Sequence, residues 1–75
     1  MIDPQLGFEL RRRRIAAGIT LRELARRILF DTGYLSKIET GKRPASPHVV
    51  RRYDGQLNAH GELIELARGH VHMRQ

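Results

Sequence analysis

From Thr20 to Gly41 the chain reads TLRELARRILFDTGYLSKIETG, a stretch that permits little besides two short helices joined by a tight corner. Thr20 is an N-cap type residue with Glu23 three positions on, the pattern of a capping box. Leu24, Ala25 and Ile28 then fall on one face at helical spacing. Asp31 can cap a second helix, whose buried positions are Leu35 and Ile38. Only Leu29 and Phe30 lie between, so the helices have to cross steeply. Ala25 sits near that crossing, where a small side chain lets two backbones approach.

With Leu35 and Ile38 pointing inward at about 100° per residue, Gly33, Ser36, Lys37 and Thr40 point outward. Thr32, in the exposed first turn, completes a surface that is small, polar and basic. A helix lying in the DNA major groove needs such a face, with low-profile residues at the tip, donors behind them and no acids.

These residues resemble the helix-turn-helix of the phage repressor and Cro-type (xenobiotic-response-element, XRE) family of transcriptional regulators. The spacing of Leu24, Ala25, Ile28, Phe30, Leu35 and Ile38 matches, and Leu35-Ser36-Lys37-Ile38-Glu39-Thr40-Gly41 is close to that family's most recognisable run. The likeness extends from about Leu10 to Leu66. It is nearest to the branch common in high-GC Gram-positive bacteria, with its Gly-Tyr-Leu-Ser-Lys-Ile-Glu type helix and Arg-Pro-Ala-Ser-Pro type loop. Leu29 departs from the pattern, since many members carry a turn glycine there, and it implies a slightly different corner. Leu21 departs too, replacing a glutamine that helps grip DNA. The resemblance implies an all-α, compact five-helix, lambda-repressor-like DNA-binding domain over residues 1–68, with 69–75 as a tail. It further implies a regulator, a repressor acting as a homodimer on double-stranded DNA, and the absence of cysteine fits a reducing, cytoplasmic setting.

Seventy-five residues suit one domain near the lower end of what folds without staples. There is no cysteine, hence no disulfide, and no obvious ligand set for a structural metal. The start, Met1-Ile2-Asp3-Pro4, is acidic and lacks the apolar stretch of a signal peptide, and Ile-Ala-Ala-Gly after Arg11–Arg14 is far too short to span a membrane. Fourteen Lys and Arg against eight Asp and Glu leave a net charge of +6. A domain this small and basic draws polyanions from a distance. Charge alone does not separate DNA from RNA or an acidic protein; the helix-turn-helix pattern does most of that.

Taken in order, residues 1–5 read as a loose arm and Leu6 to Ala17 as a first helix, with Leu6, Leu10, Arg14 and Ala17 on one stripe. Gly18 ends it, and Ile19 packs the connection. Arg14 is out of place on an apolar stripe, as is Glu39 beside Ile38. The simplest resolution pairs Arg14 with Glu39 between the first and third helices, partly buried, and the family resemblance implies such a pair at these positions. Its work would be structural, holding the recognition helix at its angle. Ser46-Pro47 starts a fourth helix, serine as N-cap and proline at the first position, with Val49 or Val50, Tyr53 and Leu57 inward. Gly55 weakens that helix by roughly 1 kcal/mol relative to alanine. After an Asn58–Gly61 turn, Glu62 to Ala67 forms a fifth helix carrying Leu63, Ile64 and Leu66, either to close the core or to build a two-fold dimer.

Among the cations, Arg11, Arg12, Arg26, Arg27, Arg51 and Arg52 read as solvated faces, and Arg13 as solvated or phosphate-binding. Arg22, where free N–H groups also favour an anion, is a phosphate candidate. So are Thr40, Lys42 and Arg43, the last two in a turn-forming loop directly after the recognition helix. Thr32, Gly33, Ser36 and Lys37 would face base edges: Lys37 suits guanine O6/N7, the Thr32 methyl suits a thymine methyl, and Gly33 lets the backbone come close. His70 and His72 alone are a poor basis for a metal site.

Catalysis has little to stand on, with no glycine-rich phosphate loop, no nucleophile motif and no spaced carboxylate pair. No cofactor is implied. Two other classes remain beside the regulator. One is a protein-interaction module such as an antitoxin or adaptor, whose main partner is another protein. The other is a nucleic-acid binder with little sequence preference.

Overall fold

The computed structural model describes residues 4–72, with the side chains of 5–69. Among these residues there are five helices and no strand: α1 (Pro4–Ala16), α2 (Leu21–Ile28), α3 (Thr32–Glu39), α4 (Pro47–Gln56) and α5 (Glu62–His72). The fold is all-α, with α3 packed against α1 and α2, and α4 bridging α2 to α5. No helix among the described residues is long and apolar enough to cross a membrane.

Helical periodicity places at least one fully buried residue on each helix. Leu10, Leu24, Leu35, Ile38, Val49, Tyr53 and Leu63 have no exposed surface at all. Removing each large aliphatic side chain from water contributes about 1.5–3 kcal/mol, enough for a small chain to close on one core. Both Val49 and Val50 are buried, so α4 turns a broader face inward than a single stripe.

The helix starts follow local chemistry. The hydroxyl of Thr20 accepts from Glu23 N at 3.1 Å, that of Ser46 from Val49 N at 3.2 Å, and the carboxylate of Asp31 from Tyr34 N at 3.0 Å. Only half of the expected capping box at Thr20 forms. The Glu23 carboxylate turns instead to Arg26 and Arg27, because guanidinium groups one turn ahead hold an ionised carboxylate more strongly than a neutral amide does. The start of α5 follows Gly61, which has no side chain to cap it. Asp54, buried on α4, accepts from Gly61 N at 2.9 Å and Leu63 N at 3.0 Å, and so ties the two helices together at their corner.

Three further outcomes differ from the sequence reading, at the start of α1, the end of α5 and the α2–α3 corner. The first helix begins at Pro4, inside the expected loose arm, whose residues 1–3 lie outside the described residues. Helix α5 runs on to His72 rather than ending at Ala67. The histidine pair His70 and His72 falls outside the described side chains.

The corner between α2 and α3 is the third. Leu29 takes the left-handed conformation, φ 62° and ψ 44°, in which the helix-ending glycine would sit. Phe30 N then reaches Ala25 O at 3.0 Å, the bond that closes a helix of this type. The corner is therefore the glycine-type corner, made with a leucine. Its side chain is 85% exposed, because no inward direction is available from that backbone.

Candidate nucleic-acid interface

Helix α3 is eight residues long, and its two faces differ completely. Leu35, Ile38 and Glu39 are buried, Tyr34 is half-buried, and Thr32, Gly33, Ser36, Lys37 and the capping Thr40 are exposed. The four residues expected at base edges, Thr32, Gly33, Ser36 and Lys37, thus lie together on one open surface.

The buried side fixes this surface in space. Arg14 on α1 donates to Glu39 through Nε to Oε2 at 2.9 Å and Nη2 to Oε1 at 2.9 Å, while its Nη1 donates to Ile19 O at 2.8 Å. The Tyr53 hydroxyl on α4 donates to the same Glu39 Oε2 at 2.6 Å. Arg14 and Glu39 are both buried, and two elements, α1 and α4, converge on one carboxylate of α3. The hydrogen bonds to Glu39 raise the pKa of Arg14 beyond its ordinary value. Burial first, and the Glu39 bond second, push that of the Tyr53 phenol up as well.

Backbone contact does the rest. A Cβ on Gly7 would lie 1.9 Å from Ile38 O, so only glycine lets α1 approach α3 this closely. After α3 the chain folds back, with Lys42 N and Arg43 N both donating to Lys37 O, at 2.8 and 3.2 Å. Gly41, at φ 81°, makes this reversal possible. The loop cations are consequently anchored at their backbone to the end of α3.

The charges divide into two sets. Glu9 pairs with Arg12 and Arg13, Glu62 with Arg13, Glu23 with Arg26 and Arg27, and Glu65 with Arg68. Arg13, open to either reading from sequence, is thereby tied to α5, and the bonds to Glu62 and Glu9 raise its pKa. Among the described residues, Arg11, Arg22, Lys37, Lys42, Arg43, Arg51 and Arg52 form no ion pair. Lys37, Lys42 and Arg43 cluster on α3 and its loop, whereas Arg22 stands apart on the first turn of α2, also exposed.

Thr40 and Leu21 behave differently from the phosphate-gripping pattern. The Thr40 hydroxyl donates to Ser36 O at 2.9 Å, capping α3 with the proton a phosphate would need. Leu21 packs its side chain against the core.

Sequence reading missed an aromatic cluster beside this surface. The rings of Phe30 and Tyr34 stack at 6.0 Å and 13°, Phe30 meets His48 of α4 at 5.8 Å, and Arg43 Cζ lies 5.8 Å from the Tyr34 ring centroid. The available signal was Tyr34 itself, an aromatic at the rim of the exposed face with Phe30 four positions before it.

A family model described as a helix-turn-helix domain matches residues 5–67. The crystal structure of the clp gene regulator ClgR from Corynebacterium glutamicum is similar over 95% of this chain and 85% of that one, at 30% identity and a TM-score of 0.70. No curated protein matches the chain. Because the matched residues run from the first turn of α1 into α5 and enclose the whole α2–α3 corner, the chain belongs to the helix-turn-helix domain family.

Proposed function

We propose that this chain is a transcriptional regulator of the phage repressor and Cro type that binds double-stranded DNA sequence-specifically, laying α3 in the major groove. The observation that carries this reading is the exposed, acid-free face of Thr32, Gly33, Ser36 and Lys37 on a helix whose other side is locked to α1 and α4. Lys37 reads a guanine edge, the Thr32 methyl meets a thymine methyl, and Gly33 keeps the contact close. Lys42, Arg43 and Arg22 hold phosphates on either side and supply the salt-dependent part of the affinity. The similar protein from Corynebacterium glutamicum is a clp gene regulator, which agrees with such a role.

The chain acts as a homodimer and represses by occupying its operator. Support for the dimer comes from α5, where Ile64, Leu66 and Ala67 are only partly covered by the core. Selection of bound duplexes from a random pool tests both statements. A palindrome with half-sites about 34–36 Å apart is the expected product. Recovery of unrelated sequences at equal affinity points to a binder without sequence preference. No retention at low salt points to a protein-interaction module.

A further inference from the structure

Arg43 and Lys42 are neighbours in one loop, both exposed, both pinned at the backbone to Lys37 O, and neither in an ion pair. They differ in one respect: the Arg43 guanidinium lies over the ring of Tyr34. That ring is held in turn by its stack on Phe30, and its backbone N–H is fixed by the Asp31 cap.

A guanidinium can serve two purposes at once. Its charge is attracted to the face of an aromatic ring while its N–H groups suit a phosphate, so that a guanidinium held over a ring can still offer N–H donors to an anion. A long side chain already held in its bound direction loses less freedom when the anion arrives. We propose that Tyr34 is a positioning residue for Arg43, presenting those N–H donors to a backbone phosphate of the DNA while Lys42 acts as an untethered charge. This rests on the DNA-binding reading above.

The test is a double-mutant cycle in duplex affinity, with Tyr34→Leu, Arg43→Ala and their combination, and with Lys42→Ala as the comparison. The loss caused by Arg43→Ala is expected to be roughly three-fold smaller in the Tyr34→Leu background than in the unaltered chain. The loss caused by Lys42→Ala is expected to be the same in both. Tyr34→Phe, which keeps the ring, restores the full Arg43 effect, and the unchanged Lys42→Ala loss in the Tyr34→Leu chain separates this from a mere folding defect. In the free protein, ring-current shifts of the Arg43 side-chain protons should vanish in Tyr34→Leu and persist in Tyr34→Phe. If the Tyr34→Leu and Arg43→Ala losses simply multiply, the positioning role is overturned while DNA binding stands. If the unaltered chain binds no duplex at low salt, both readings fall, whatever the ring-current shifts show.

Discussion

Arg14 and Glu39 meet across α1 and α3 as a bidentate pair, with Nε–Oε2 and Nη2–Oε1 both at 2.9 Å, and both side chains are buried. A charge in that position is tolerable only with its partner. Arg14→Met leaves the Glu39 carboxylate with Tyr53 alone, and a loss of about 3–5 kcal/mol in urea denaturation is expected. Replacing both, as Arg14→Met with Glu39→Leu, removes the uncompensated charge and should recover most of that loss. If the double variant is no more stable than the single one, the pair is not what the site depends on.

Gly7 and Gly55 form a contrasting pair. A Cβ at Gly7 would strike the Ile38 carbonyl, a backbone atom that cannot swing aside, whereas a Cβ at Gly55 meets nothing within 4 Å. Gly7→Ala is expected to push α1 off α3 and lower the melting temperature sharply. Gly55→Ala, in an open helical position, should raise stability by about 0.5–1 kcal/mol. Thermal melts followed by circular dichroism compare the two directly.

The corner at Leu29 carries a strain that glycine lacks. Its left-handed backbone brings Cβ too near the following carbonyl, and its exposed side chain contributes little packing in return. Leu29→Gly is expected to gain about 0.5–1 kcal/mol, after allowance for the greater freedom of glycine in the unfolded chain. Leu29→Ala, which keeps the Cβ, should not gain. A stabilised alanine variant would show that the exposed side chain, not the backbone, was the burden.

What could be read from the sequence was whatever repeats at helical period or sits at a fixed offset. Leu24, Ala25, Ile28, Leu35 and Ile38 mark two buried faces, and Thr20, Asp31 and Ser46 mark helix starts. Arg14 and Glu39 stood out because charge interrupted an apolar stripe. Asp54 interrupts one in the same way, four residues after Val50, but its partners are the backbone N–H groups of Gly61 and Leu63, which have no side-chain signature. Gly7 was silent for a related reason, since its importance lies in what approaches it from another helix. The conformation of Leu29 runs against the sequence reading because a leucine, which rarely adopts positive φ, points to a different corner even where the family pattern places a turn glycine. The position of the Arg43 guanidinium over the Tyr34 ring depends on how a loop folds back, and spacing does not encode that.

Tyr53 predicts an alkaline limit. Burial and the Glu39 bond hold its phenol protonated in the folded chain, while an unfolded tyrosine ionises near pH 10, by the ordinary value. With the folded pKa above the unfolded one, the stabilisation is complete below about pH 10 and declines above it, by up to about 1.4 kcal/mol per pH unit. Tyr53→Phe should be less stable than the unaltered chain at neutral pH, through the lost hydrogen bond. The gap should narrow as pH rises past 10. Urea midpoints measured from pH 7 to 11 in both chains check the sign.

Lys37 and Lys42 separate sequence reading from phosphate grip. Both are exposed, unpaired lysines within one turn of the α3 end, so net charge and proximity do not distinguish them. Lys37 lies on the face with Ser36 and Gly33, whereas Lys42 lies on the loop beyond. Lys37→Ala is expected to weaken the selected operator by about 1–3 kcal/mol while leaving random duplex nearly unchanged. Lys42→Ala should weaken every duplex alike and reduce the salt slope by about one unit. Salt titrations of both variants on operator and on random duplex give the four curves required. Equal losses on both duplexes for Lys37→Ala would make Lys37 another phosphate contact, leaving Thr32, Gly33 and Ser36 to carry the specificity.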